Sequence, residues 1–137
     1  LEQVRDAVLD VARFNVYQLS EAMLGGDAAR MARVLQGLAG EGEPPLRVLW
    51  VMSEDVRAAH KLQSGRAAGR RDQDIYRAER IWGDARQRML SQAATRMRAG
   101  DLDAALQHAA RIDRVAKGVA DGSAWDELLQ LGLRFAR

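Results

Sequence analysis

Two histidines, His60 and His108, are the side chains of this sequence best suited to proton transfer or metal binding near neutral pH. They are 48 residues apart, and neither has an aspartate or glutamate three or four residues away. The carboxylates of Glu54 and Asp55 are adjacent in sequence, so they do not face each other on a helix. We therefore predict a structural, partly buried His60, no metal site and no catalytic residue.

Phosphate binding and thiol chemistry have no support in the sequence. Two segments, 25–27 and 65–69, contain two glycines each. Neither ends in Lys-Ser or Lys-Thr, as a phosphate-binding loop requires. The chain has no cysteine, which excludes disulfides and thiolate metal sites and fits a reducing compartment. We expect no cofactor, no enzymatic activity from this chain, and a cytoplasmic location.

The elements that would position any site are helices. Ala, Leu, Arg, Gln and Met are abundant, period-2 Val/Ile runs are missing, and both prolines lie together at Pro44-Pro45. No apolar run is long enough to span a bilayer, and no signal segment opens the chain. Short loops between consecutive helices force antiparallel neighbours. The sequence predicts an all-α fold, an antiparallel bundle of five to six helices.

Apolar residues recur every three to four positions in several segments, which marks the individual helices. The predicted helices cover residues 2–13, 16–24, 28–39, 45–63, 74–80, 85–98, 102–119 and 123–133. Four polar residues precede such stripes and are predicted to cap them: Asn15, Asp27, Asp84 and Asp101. The stretch 64–71 has two glycines and no large apolar side chain, so we predict an exposed, mobile connection there.

Charge is unevenly distributed although the net charge is only +2. Residues 57–98 carry eleven Arg and Lys against four Asp and Glu, a net +7, whereas residues 1–56 carry −4 and residues 99–137 carry −1. A basic middle fits a solvated helix face, an acidic protein neighbour or a phosphate backbone. The nucleic-acid alternative would use five arginines: Arg66, Arg70, Arg71, Arg77 and Arg80.

The segment 46–52 is apolar almost all round, which predicts burial on more than one side. Trp50 and Trp125 lie on inward stripes and are predicted to be core residues. Trp82 lies beside a predicted helix break and is a candidate contact anchor. The candidate contact residues for a protein neighbour are Val48, Val51, Met52, Arg57, Lys61 and Trp82.

Several sequence pieces carry a family resemblance. Phe14-x-x-Tyr17-x-Leu19, Gly26-Asp27, Val34-Leu35-x-x-Leu38, Glu41-Gly42-Glu43-Pro44 and the Leu49-Trp50 helix with Arg57 and Lys61 follow one another in order. Ile81-Trp82 with Arg86, Ile112-Asp113 with Lys117-Gly118, and Ser123-x-Trp125 come later. Together they resemble the C-terminal domain of the bacterial DNA polymerase III clamp-loader delta subunit over about 120 residues.

The resemblance implies a place in an assembly. Residues 1–13 would end a preceding lid-type domain, and 14–137 would form a helical collar domain without catalytic residues. Its partners would be other clamp-loader subunits of the gamma/tau and delta-prime types. The sliding clamp would be held by an N-terminal part outside this chain, and DNA would be met only indirectly, with no membrane involved. Because the chain opens without Met, we expect it to be a fragment of a longer protein.

Overall fold

The computed structural model describes residues 14–136, and the predicted helix over 2–13 lies outside this range. Seven helices occupy the described part, and each overlaps one of the predicted helical segments, so the predicted number of five to six was too low. The all-α class is confirmed. They are α1 (Val16–Leu24), α2 (Ala28–Gly40), α3 (Pro45–Ala67), α4 (Asp72–Ala78), α5 (Asp84–Arg96), α6 (Ala99–Ala116) and α7 (Ala124–Leu133). Within residues 14–136, no helix has the length and apolar character to cross a membrane.

The first two helices begin at the caps that the sequence predicts. The Asn15 side chain accepts a hydrogen bond from the Gln18 backbone N–H, and the Gln18 side chain accepts one from the Asn15 N–H, which forms a capping box. Asp27 accepts from the Arg30 N–H at 3.1 Å and caps α2. Gly26 separates the two helices with φ of +73°, a conformation that favours glycine.

Two of the predicted caps are wrong. Asp84 is the first residue of α5 and follows Gly83, which has φ of +90°. Asp101 lies in the first turn of α6, because that helix already begins at Ala99. Both carboxylates therefore lie near the positive N-terminal end of a helix dipole, and neither residue occupies the N-cap position itself.

The longest helix, α3, is the centre of the bundle. It packs against α1, α4, α5, α6 and α7, and its residues Val48, Met52, Val56, Ala59 and Leu62 are fully buried. The facing helix α6 contributes the buried residues Leu102, Ala105 and Ile112 to the core. Phe135, which follows α7, is also fully buried in this core. Burial of apolar surface on several sides of α3 supplies the main stabilisation of the fold.

The predicted loop at 64–71 is wrong in its first half. The α3 helix continues to Ala67 and ends two residues before Gly69, which has φ of +79°. Gly65 is buried against Ile75 of α4, since a Cβ at position 65 would lie 2.5 Å from the Ile75 Cδ1. The glycine that looked like a loop residue permits α4 to lie directly on the end of α3.

Arg66 connects α3, α4 and α5. Its guanidinium donates to both carboxylate oxygens of Asp72 at the start of α4, at 2.9 and 2.8 Å. It also donates to Ser91 at 2.8 Å and to Thr95 at 3.0 Å, both on α5. This paired arrangement lowers the pKa of Asp72, chiefly through the Arg66 hydrogen bonds. Arg66 is thus used within the fold.

We predict that Arg66→Lys destabilises the protein nearly as much as Arg66→Met, by about 1–3 kcal/mol, because an ammonium cannot replace a bidentate, four-bond guanidinium. Asp72 has a lowered pKa in the folded state, so its contribution is present above its unfolded pKa and is lost as the pH falls. The gap between the unfolding free energies of Arg66→Met and the parent should therefore narrow below about pH 4. A gap that stays constant from pH 7 to pH 3 would contradict this.

Candidate functional site

The candidate contact residues predicted from sequence do not share one surface. Val48 and Met52 are fully buried in the core, so their placement on an outward face is wrong. Val51 is partly accessible, and Arg57, Lys61 and Trp82 are exposed. Substituting Met52 with aspartate would therefore report on folding and not on a contact.

The tryptophan of α3 is the largest departure from the predicted core. Trp50 is 64% exposed, and Leu46, one turn earlier, is also partly exposed. Trp125 is half-buried and packs against the core, whereas Trp82 is exposed. The apolar pattern over 46–52 thus belongs to a helix with one buried side and one open side.

Trp50 borders a groove formed by α1, α3 and α5, with a volume of about 740 Å³. We call it the α1–α3–α5 groove. Tyr17 of α1, which is 81% exposed, also lines this groove. Val51 of α3 and Met89 of α5 add apolar surface between them. Large exposed aromatic side chains around a concave apolar surface are typical of a protein-binding site.

A polar cluster lies in the same groove. Asp55 of α3 is 1% exposed, accepts a hydrogen bond from the Ser20 hydroxyl of α1, and accepts another from the Arg86 guanidinium of α5 at 2.8 Å. Burial raises the pKa of Asp55, and the hydrogen bond from Ser20 and the charge of Arg86 offset this in part. Asp55 therefore fixes Arg86 at the groove. Tyr, Trp and Arg are the residue types that dominate binding energy at protein interfaces.

We predict that Asp55→Asn leaves stability at pH 7 near that of the parent, whereas Asp55→Ala costs about 2 kcal/mol because the buried Ser20 hydroxyl loses its acceptor. The raised pKa of Asp55 means that its ionisation weakens the folded state as the pH rises through that pKa. Denaturant unfolding from pH 3.5 to pH 8 should show the Asn variant gaining on the parent as the pH rises. A gain in the opposite direction would exclude this account of Asp55.

The two histidines have structural partners. The His60 Nε2 lies 2.9 Å from Asp103 and links α3 to α6. His108 accepts a hydrogen bond from the Arg134 Nε at its Nδ1, which places the imidazole proton on Nε2, facing Glu127 at 2.8 Å. That hydrogen bond lowers the pKa of Glu127. Within residues 14–136, no three His, Asp or Glu side chains come together as metal ligands.

Six of the eleven basic residues of the middle segment fall into two groups. Arg66 and Arg86 are held by carboxylates within the fold. Arg70, Arg71, Arg77 and Arg80 are exposed around α4, and Arg71 pairs with Asp74 at 3.2 Å. The five arginines of the nucleic-acid alternative therefore do not act as one set.

Two comparisons bear on what this arrangement is for. No family model matches the chain. The chain is similar to a subunit of DNA polymerase III. It is 28% identical over 133 residues to the DNA polymerase III subunit delta of Escherichia coli K12. The match covers 97% of this chain and 38% of that protein, so the chain spans little more than a third of the length of this relative.

Proposed function

We propose that this chain is a non-catalytic oligomerisation domain of a clamp-loader delta-type subunit, the collar domain of a cytoplasmic replication protein. The observation that carries the proposal is the similarity to the E. coli DNA polymerase III subunit delta along 97% of the chain. The all-helical fold and the exposed aromatic groove agree with a domain that works by packing against other proteins.

In this proposal the α1–α3–α5 groove meets a neighbouring subunit of the gamma/tau or delta-prime type. Tyr17 and Trp50 would be buried by the partner, Val51 would extend the apolar contact, and Arg86 would face the partner's polar groups. Both aromatic side chains are mostly exposed in the described bundle. Their burial on assembly would remove a large apolar area from contact with water, which stabilises the complex. The sliding clamp would be held by a part of the protein outside this chain.

The experiment is reconstitution of the full-length protein that contains this chain with purified gamma/tau-type and delta-prime-type subunits. We expect one complex in size-exclusion chromatography, and we expect loss of that complex when residues 14–137 are deleted. Binding of the deletion variant to the sliding clamp is the control that the remainder is folded. Assembly that survives the deletion would refute the proposal.

The alternative, a basic helical nucleic-acid-binding module, rests on the exposed residues Arg70, Arg71, Arg77 and Arg80. Arg66 is withdrawn from that set by its bonds to Asp72. A module of this kind would bind DNA with an affinity that falls steeply as salt rises. A salt titration of DNA binding by the full-length protein and its residue 14–137 deletion tests this alternative, because only a salt-dependent affinity lost with the deletion would favour it.

A further inference from the structure

A second groove lies on the other side of Trp50, between α3 and α6, with a volume of about 570 Å³. We call it the α3–α6 groove. Its apolar lining includes Leu46 and Trp50 of α3 and Leu106 and Ala110 of α6. Trp50 lines both grooves, so its side chain forms a ridge between two separate concave surfaces.

The two helices run antiparallel along this groove. The His60–Asp103 hydrogen bond joins the late part of α3 to the early part of α6, and the groove joins the early part of α3 to residues 106–114. Arg57 therefore lies toward one end of the groove and Arg114 toward the other. With a rise of 1.5 Å per residue, Leu46 and Arg57 are about 16 Å apart along α3, or about three helical turns.

The charges of the α3–α6 groove do not cancel. Asp113 is paired with Lys117 at 3.0 Å, and Arg114 forms no ion pair with any residue of the described range 14–136. Within the same range, Arg57 pairs only with Glu54 on its own helix and keeps 52% of its side chain exposed. The groove thus presents an apolar floor with a cationic group near each end.

We propose that the α3–α6 groove binds an amphipathic helix of a partner subunit, with an apolar stripe flanked by carboxylates about two to three turns apart. The inference rests on the proposed oligomerisation function and names the partner's chemistry at a second surface. A helix of about three turns matches the length of the floor, and its apolar face would cover Leu46, Trp50 and Leu106. A nucleic-acid backbone fits less well, since it requires a continuous row of cations and not two separated by apolar side chains.

The first test is charge reversal in the full-length protein. We expect Arg57→Glu with Arg114→Glu to weaken binding to the purified partner subunits about tenfold or more at low salt, with a smaller deficit at high salt. The matched control is Arg33→Glu with Arg88→Glu, which changes the net charge equally at two exposed arginines outside both grooves. The control should bind within about twofold of the parent. Equal affinities for the two double variants would overturn the proposal.

The second test identifies the occupant. A benzophenone photo-crosslinking residue in place of Ala110 should, in the reconstituted complex, attach to a partner helix with carboxylates at the proposed spacing. Attachment to DNA, to a second copy of this chain or to a segment without carboxylates would overturn the proposal. If the unaltered protein forms no complex, the oligomerisation function fails as well. If it assembles normally and only these two tests fail, the groove assignment alone is wrong.

Discussion

Trp50→Ala is expected to weaken assembly of the full-length protein with its partner subunits by about 2–4 kcal/mol, which is about 30-fold or more in the dissociation constant. The reason is that Trp50 is 64% exposed and lines both grooves, so a partner at either surface buries it. Tyr17→Ala removes an aromatic side chain from one groove only, and we expect a smaller loss of about 1 kcal/mol. Titration by biolayer interferometry measures both effects.

The control for these variants is Val119→Ser, which removes an equally exposed apolar side chain from the loop after α6, away from both grooves. It should assemble like the parent. The unfolding free energies of the Trp50 and Tyr17 variants should change by no more than about 0.5 kcal/mol, because neither side chain belongs to the core. Normal assembly by Trp50→Ala would remove both grooves from consideration as subunit contacts.

Gly65→Leu is expected to destabilise the fold by about 2–3 kcal/mol even though leucine is the better helix former. A Cβ at position 65 would lie 2.5 Å from the Ile75 Cδ1 and 2.8 Å from the Ile75 Cγ1, and Ile75 is fully buried. Relief of this overlap requires the fully buried Ile75 side chain to change its conformation or α4 to move away from α3. Movement of α4 would also disturb the bonds between Arg66 and Asp72.

The matched control is Gly100→Leu in the first turn of α6, where a Cβ added to the glycine would have no neighbouring atom within 4 Å. It should leave stability unchanged or raise it by up to about 1 kcal/mol through helix propensity alone. Urea unfolding of both variants gives the comparison. Two shifts of the same sign would show that propensity, and not the contact with Ile75, governs position 65.

Features that depend on neighbouring residues in sequence were predictable. The caps at Asn15 and Asp27 and the first-turn position of Pro45 are decided within four residues, so composition and spacing suffice. The all-α class follows from apolar periodicity in the same way. Asp84 and Asp101 show the limit of such rules, because Gly83 takes the cap position of α5 and α6 already begins at Ala99.

Features that depend on which helices become neighbours were not predictable from the residues themselves. Gly65 lies within α3, and its lack of a side chain leaves the space that Ile75 of α4 fills. The hydrogen-bond partners of Arg66 lie six to 29 residues away in sequence, so no local sequence pattern predicts them. Trp50 lies in a segment that is apolar almost all round, but the described bundle covers only one side of it. The exposed side of Trp50 can be recognised as a candidate site only when the positions of the flanking helices are known.

Burial of the α1–α3–α5 groove by a partner subunit is tested most directly by hydrogen exchange of the full-length protein, alone and in complex with the gamma/tau-type and delta-prime-type subunits. We expect slower amide exchange on assembly in α1 (Val16–Leu24) and in the first two turns of α3, with no change in α4 (Asp72–Ala78). An assembled complex in which α1 and α3 exchange as in the free protein would contradict this expectation. So would slowing that appears only in α4, and only when DNA is added.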